Sequence, residues 1–181
     1  MKTFLILFCL VLLNSCTHKK EPLSAQMIID KAIESSCNGN CEHAIIDFTF
    51  RDKCYISKRD GGIYRYERIS SDSTGVTEDV LTNTGFTRQK NNISIEVPDS
   101  MVTKYSNSIN SVIYFAQLPF GLNAAAVKKE LLGEAQIRGE GYYEIRVSFE
   151  EVGGGADFED VFVYWIHKEK FTVDYLAYQY K

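Results

Sequence analysis

The sequence predicts an α+β protein built mainly of antiparallel strands, and three observations carry that prediction. Ala44, Ile46, Phe48 and Phe50 alternate with Ile45, Asp47, Thr49 and Arg51, the period of two that a half-buried strand shows. In the middle of the chain Val102, Tyr105, Ile109, Val112, Ile113 and Ala116 recur at three and four, as on one face of a helix. After Gly133 the strand pattern returns and continues to the last residues.

The first segment stands apart from that fold. Lys2 precedes an apolar run from Phe4 to Leu13 that ends in Leu13-Asn14-Ser15-Cys16, the layout of a bacterial lipoprotein signal cut just before a cysteine. The run is too short to span a bilayer as a mature helix, so residues 1–15 are expected to be removed. Cys16 then becomes the first residue, thioether-linked to diacylglycerol and N-acylated; an uncleaved anchor or an ordinary secretory signal is the alternative. Residues 16–23, with Lys19, Lys20, Glu21 and Pro22, form a polar, proline-broken tether. The expected location is the cell envelope, lipid-anchored at the outer membrane and facing the periplasm, since Lys19 and Lys20 are not the acidic run associated with surface display.

Residues 24–181 have the length and apolar content of one domain. The chain carries 20 basic and 24 acidic residues, a net charge of −4 that becomes more negative when Lys2 is lost. This balance opposes phosphate backbones, and no Lys/Arg cluster is interleaved with aromatics, so nucleic acid is excluded as a partner. Of five cysteines, Cys9 leaves with the signal and Cys16 carries lipid. An oxidising compartment makes Cys37-Asn38-Gly39-Asn40-Cys41 a turn closed by a local disulfide, leaving Cys54 as a free, buried thiol. A metal site on Cys37, Cys41 and His43 is the alternative, but its spacing matches no familiar zinc pattern.

Ser24 caps a first helix through Met27, Ile28, Ala32 and Ile33, stopped by Asn38 and Gly39. A strand from Ala44 is followed by Cys54 to Ser57, then the hairpin signal Asp60-Gly61-Gly62 and a returning strand from Ile63 to Ser70. Strands around Phe86 to Lys90 and Ile93 to Val97 flank an Asn91-Asn92 turn. Pro98 ends the sheet, and the central helix runs to near Pro119. A second central helix is expected from Asn123 through Ala126, Val127, Leu131 and Leu132 to Gly133. Strands follow at Ala135 to Arg138, Tyr142 to Glu150, Phe158 to His167 and Phe171 to Tyr180. Val161 to Ile166 is apolar on both faces, which predicts cover on each side and a curved sheet wrapped around the central helices. The last strand ends in an aromatic edge, which predicts further strands downstream of Lys181.

Taken together, Asn110-Ser111-Val112-Ile113-Tyr114-Phe115-Ala116, Leu118-Pro119-Phe120, Leu122-Asn123 with Ala126-Val127, Gly153-Gly154-Gly155 before Asp157 and Asp160, Val163-Tyr164-Trp165 and Asp174-Tyr175-Leu176-Ala177-Tyr178 resemble a Gram-negative lipoprotein family of unknown function with a fold similar to the lipoprotein carriers LolA and LolB. The resemblance covers nearly all of the mature chain. It implies a half-barrel of antiparallel strands with an N-terminal helix and two central helices on its concave face, and an apolar interior able to hold acyl chains. It carries over no catalytic residue. The Cys37 to Cys41 loop departs from it, standing where a cysteine-free glycine turn belongs.

Three functions compete. In the first, Phe48, Phe50, Tyr64, Tyr66, Ile113, Phe115, Phe162 and Tyr164 line a cavity for a lipid, a lipidated peptide or another amphiphile. The same residues also suit a dry core. In the second, the domain is a non-catalytic structural or interaction module at the outer membrane, with tyrosines facing a protein partner. The third, a hydrolase or calcium-binding protein using Asp157, Glu159 and Asp160, lacks both a paired nucleophile and regularly spaced oxygen ligands. Gly-x-Ser-x-Gly and phosphate-loop patterns are absent, no pattern calls for a cofactor, and Arg51 and Gly85-Phe86-Thr87-Arg88 suit surface or strand-edge positions better than anion clamps, with Arg51 as the alternative anchor for a headgroup.

Overall fold

A computed structural model describes residues 22–37, 39–154 and 158–179. Helix α1 (Ala25–Cys37) begins where the Met27 N–H donates to Ser24 Oγ at 3.2 Å, the cap that the sequence predicts. Its apolar stripe, Ile28, Ile29 and Ala32, is fully buried.

Six strands follow as an antiparallel meander in chain order: β1 (His43–Phe50), β2 (Lys53–Asp60), β3 (Ile63–Asp72), β4 (Gly75–Thr82), β5 (Gly85–Lys90) and β6 (Ile93–Ile95). The β5–β6 turn takes positive φ at Asn91 and Asn92, 50° and 65°, which their short polar side chains tolerate. Helix α2 (Asp99–Ala116) lies on this sheet with Ile109 and Ile113 packed on Tyr55, Tyr66 and Leu81. A 3-10 turn (Phe120–Asn123) then leads into β7 (Val127–Ile137), β8 (Glu140–Phe149), β9 (Val161–His167) and β10 (Val173–Gln179). These make a second antiparallel sheet in the order β10-β9-β8-β7. Helix α1 and Leu122 pack on it over Ile145, Val147, Phe162, Tyr164 and Ile166.

The class is α+β, as expected, but the architecture corrects the sequence reading in several places. There are two sheets among the described residues rather than one, neither closes into a barrel, and each has its own core. The second central helix is absent: Asn123 ends the 3-10 turn, and Val127, Leu131 and Leu132 belong to β7. Val127, Lys129 and Leu131 face the same side as Phe149, Val147 and Ile145, their partners on β8. The four-residue spacing of Val127 and Leu131 fits either period, and pairing with β8 decides it. Gly133 does not stop a helix but sits, at φ 152°, where the β7–β8 register shifts. Strand β4 was not predicted at all. Around β9 one face, Phe162, Tyr164 and Ile166, is buried, while Val163 and Trp165 on the other are half-covered by polar side chains such as Glu144, whose Oε1 accepts from Trp165 Nε1 at 2.8 Å.

Candidate functional site

Cross-strand pairing fixes which side chains of the first sheet face α2. Phe48 pairs with Tyr55, Ile46 with Ser57, Ala44 with Arg59, Tyr66 with Ser57 and Arg68 with Tyr55, so β2 presents Tyr55, Ser57 and Arg59 on the face that packs against the helix. The same face receives Asp79 from β4 and Arg88 from β5, themselves a pair. Thus the helix-facing side of the sheet sets three arginines and one aspartate among its aromatic residues, with Arg68 and Asp79 buried and Arg59 and Arg88 half-buried.

Charges leave water at a high cost unless they are paired and hydrogen-bonded. Arg68 donates to Asp79 Oδ2 from Nε and Nη2, at 3.0 and 2.6 Å, and from Nη1 to Ser108 Oγ at 3.0 Å. Arg88 grips the same carboxylate at 2.6 and 3.0 Å and stacks 3.7 Å from the centre of the Tyr105 ring. The hydrogen bond to Asp79 outweighs burial and holds the Arg88 pKa above its ordinary value. This cluster fastens α2 to the sheet.

Arg59 is held differently. Its Nη1 donates to Tyr66 Oη at 3.0 Å and to Gln117 Oε1 at 2.9 Å, and its guanidinium lies 4.1 Å over the Phe120 ring. Gln117 in turn donates to the fully buried Ser57 Oγ. No carboxylate of the described residues pairs with Arg59. The group lines a cleft of about 380 Å³ between the sheet, the end of α2 and the 3-10 turn, walled by Tyr66, Tyr114 and Phe120 with Asn110 and Glu42 among its polar residues. Gln117 and Phe120 are shared with a smaller hollow of about 130 Å³, lined by Ala44, Ile46, Ala116, Leu118 and the Cys37–Cys41 disulfide.

Tyr114 walls the cleft, and Tyr164 neighbours it from the core of the second sheet. The Tyr114 and Tyr164 hydroxyls are buried with no partner in hydrogen-bonding geometry among the described residues. Burial, with the neighbouring phenol adding to it at Tyr164, pushes the pKa of that group far above the ordinary value, and burial likewise raises Tyr114. The Tyr114 ring lies so close to Gly121 that a Cβ there would sit 2.5 Å from Tyr114 Cε2.

The eight residues expected to line one cavity fall into different surroundings. Phe48, Tyr64, Tyr66 and Ile113 join the core under α2, where Phe48 stacks on Tyr55 at 5.4 Å and Tyr64 on Tyr66 at 4.6 Å. Tyr66 reaches the cleft. Phe162 and Tyr164 belong to the core of the second sheet, and Phe115, 39% exposed, bridges toward it with its ring 6.0 Å from Phe162 and 6.4 Å from Tyr178. Phe50 is 43% exposed at the β1–β2 turn, under the exposed Arg51. Arg88, read as a surface or edge position, is instead drawn beneath α2 because Asp79 neutralises it.

Cys37 and Cys41 are joined, with Cα atoms 5.3 Å apart. Cys54 is free and half-buried rather than fully buried, and its Sγ donates to Asp47 Oδ1 at 3.4 Å, which raises the thiol pKa. His43 pairs with Asp60 at 2.8 Å on the surface. His167 is buried, and its Nδ1 accepts the N–H groups of Glu169 and Lys170, both at 3.1 Å, a structural role. Glu159 is exposed and Asp160 precedes β9, while Asp157 lies outside the described residues. Among the described residues no group of three or more His, Cys, Asp and Glu could hold a metal ion. Residues 1–15 and Cys16 also lie outside them, and no described helix is long and apolar enough to cross a membrane.

Arg59, Gln117 and the packing of Tyr114 and Phe120 around them were not anticipated. Arg59 had a signal: it shares the period of Tyr55 and Ser57, the phase that β2 turns toward the helix. Gln117 had none, because only the end of α2 brings it over β2. No curated protein matches the chain. Residues 1–181 match the family described as a family of unknown function, DUF6503, and the chain belongs to it.

Proposed function

We propose that the protein is an envelope lipoprotein whose domain binds an apolar or amphiphilic ligand, a lipid or a lipidated peptide, between the first sheet and the end of α2. The single observation carrying this reading is the cleft of about 380 Å³. It lies within the roughly 300–1,000 Å³ range of small-molecule sites and sets the aromatic walls of Tyr66, Tyr114 and Phe120 beside the polar side chains of Glu42, Arg59, Asn110, Gln117 and Asn123, a mixed lining suited to an amphiphile. The smaller hollow beyond Phe120, bounded by Ala44, Ile46 and Leu118, supplies apolar surface for a chain.

In this reading the two sheets are halves of one bent, LolA/LolB-like half-barrel with the helices in its concavity, and the lipid on Cys16 holds it at the outer membrane, facing the periplasm. The signal-like Leu13-Asn14-Ser15-Cys16 and the motifs around α2 and β9 support this placement. Mild purification of the full chain followed by native mass spectrometry and organic extraction tests the binding. A stoichiometric amphiphile, beyond the covalent lipid, is the expected result. A protein that emerges empty and takes up no added fatty acid or phospholipid overturns it.

A second reading, an interaction module, is favoured by one feature. Tyr178 is 56% exposed and Leu176 37% on β10, an edge strand, beside the half-exposed Phe115.

A further inference from the structure

An arginine withdrawn from water ordinarily travels with a carboxylate, because protein dipoles alone replace its hydration poorly. Among the described residues Arg59, Arg68 and Arg88 are the three arginines turned toward α2, Arg68 buried and Arg59 and Arg88 half-buried. Arg68 and Arg88 follow the rule through Asp79. Arg59 does not: Glu42 lines the same cleft but lies beyond the 4.0 Å of an ion pair.

What Arg59 has instead is a mount. Nη1 is fixed by Tyr66 and Gln117, Gln117 is fixed by Ser57, and the Phe120 ring supports the guanidinium plane. Among the described residues Nε and Nη2 have no acceptor. Those two N–H groups form the fork by which a guanidinium takes two oxygens of a carboxylate or phosphate at once. A group positioned so firmly on a cleft, with two donors left over, is arranged for a missing anion.

We propose that Arg59 binds the headgroup of the ligand and that the ligand is an anionic amphiphile, a carboxylate or phosphate ester whose chain passes Phe120 toward Ala44, Ile46 and Leu118. This rests on the amphiphile-binding reading and adds the sign of the charge and the residue that selects it. The lone exposed arginines do not share the arrangement, for Arg51 and Arg138 stand at turns in solvent.

The test uses the full chain carrying Cys16→Ala, so that no covalent lipid competes, and two fluorescent probes: cis-parinaric acid and its uncharged methyl ester. The expected result is that the acid binds at least tenfold more tightly than the ester, and that Arg59→Gln brings the acid down to the ester's affinity while the ester is unchanged. Equal binding of acid and ester, or indifference of the acid to Arg59→Gln, overturns the anion assignment and leaves the amphiphile reading standing. Failure of both probes overturns both. Displacement of the acid by oleoyl lysophosphatidate as well as by oleate assigns the shared anionic headgroup. Displacement by inorganic phosphate alone, with lysophosphatidate and oleate inert, assigns a soluble anion and overturns the proposal. Should Arg59→Gln not fold, judged by circular dichroism, the acid-to-ester ratio of the parent and the loss of that ratio in Gln117→Ala decide the matter.

Discussion

At the scale of single residues, Asp79 has the heaviest structural duty, since one carboxylate serves two guanidinium groups and is 2% exposed. Asp79→Asn keeps the shape and removes the charge, leaving Arg68 and Arg88 facing each other under α2. The expected loss is about 3–5 kcal/mol, the range for breaking a buried ion pair from one side. It is read from the urea midpoint; a loss below about 1 kcal/mol would mean that Ser108 and Tyr105 suffice to hold the arginines. Glu67, on the opposite face of the sheet, adds a pH dependence. Burial pushes its carboxyl upward, but hydrogen bonds from Arg65 at 2.7 Å and Lys58 at 3.1 Å, with their charges, leave it below its ordinary 4.5. A depressed folded-state pKa stabilises the fold above the unfolded-state value and loses that effect as pH falls through the folded one. Acidification below about 4.5 therefore sheds this contribution, and Glu67→Gln should flatten the melting-temperature profile in that window only. A profile unchanged by the substitution would assign the acid lability to other carboxylates.

At the scale of elements, the close approach of the 3-10 turn to α2 depends on Gly121. Its missing Cβ is the space occupied by the Tyr114 ring. Gly121→Ala should push Tyr114 off its position against Tyr164 or lift the turn, destabilising the fold by about 1–3 kcal/mol as overpacking does. Ligand binding should weaken with it, because Tyr114 walls the cleft; unchanged stability and binding would show that the turn yields freely. The elements also show what a sequence can and cannot reveal. Helices α1 and α2 and the hairpin at Gly61-Gly62 were legible because period, cap and turn residue agree locally. Strand β4 was not, because Glu78 and Asp79 look like solvated acids until Arg65, Arg68 and Arg88 arrive from neighbouring strands. The first part of β7, Val127 to Leu132, reads as a helix because Leu131 and Leu132 are adjacent apolar residues, and both remain exposed, 37% and 50%, so burial marks no face, whereas the strand expected from Ala135 forms the second part of β7. The cleft was legible only in part: Tyr66 stands in an aromatic strand pattern, whereas the Arg59–Gln117 pair joins residues 58 positions apart.

At the scale of the whole molecule, the fold is two sheet-and-helix halves, and α2 with the turn after it is what they share. Ile109 and Ile113 belong to the first core, Leu122 to the second, and Phe115 reaches Phe162 and Tyr178 across the junction. The charged side of the cleft lies on the first half, at Arg59 and Tyr66, while the single tryptophan, Trp165, lies on the second. A ligand in the cleft therefore touches the first sheet and the shared end of α2 and turn, and is heard by Trp165 on β9 through those shared elements. At a hundredfold excess over its Kd a ligand stabilises the folded state by about 2.7 kcal/mol. For a domain of this size that is roughly 5–10 °C in melting temperature. With the halves coupled, Trp165 fluorescence and far-ultraviolet circular dichroism should shift together by that amount. Phe115→Asp sets a charge against Phe162 and Tyr178, which neither can pair, and its partial exposure lets the chain still fold. In that variant the Trp165 transition should separate from the circular dichroism transition and lose most of its ligand-induced shift. Coincident transitions in Phe115→Asp, still moving with ligand, would place the coupling elsewhere, at the buried Tyr114–Tyr164 approach.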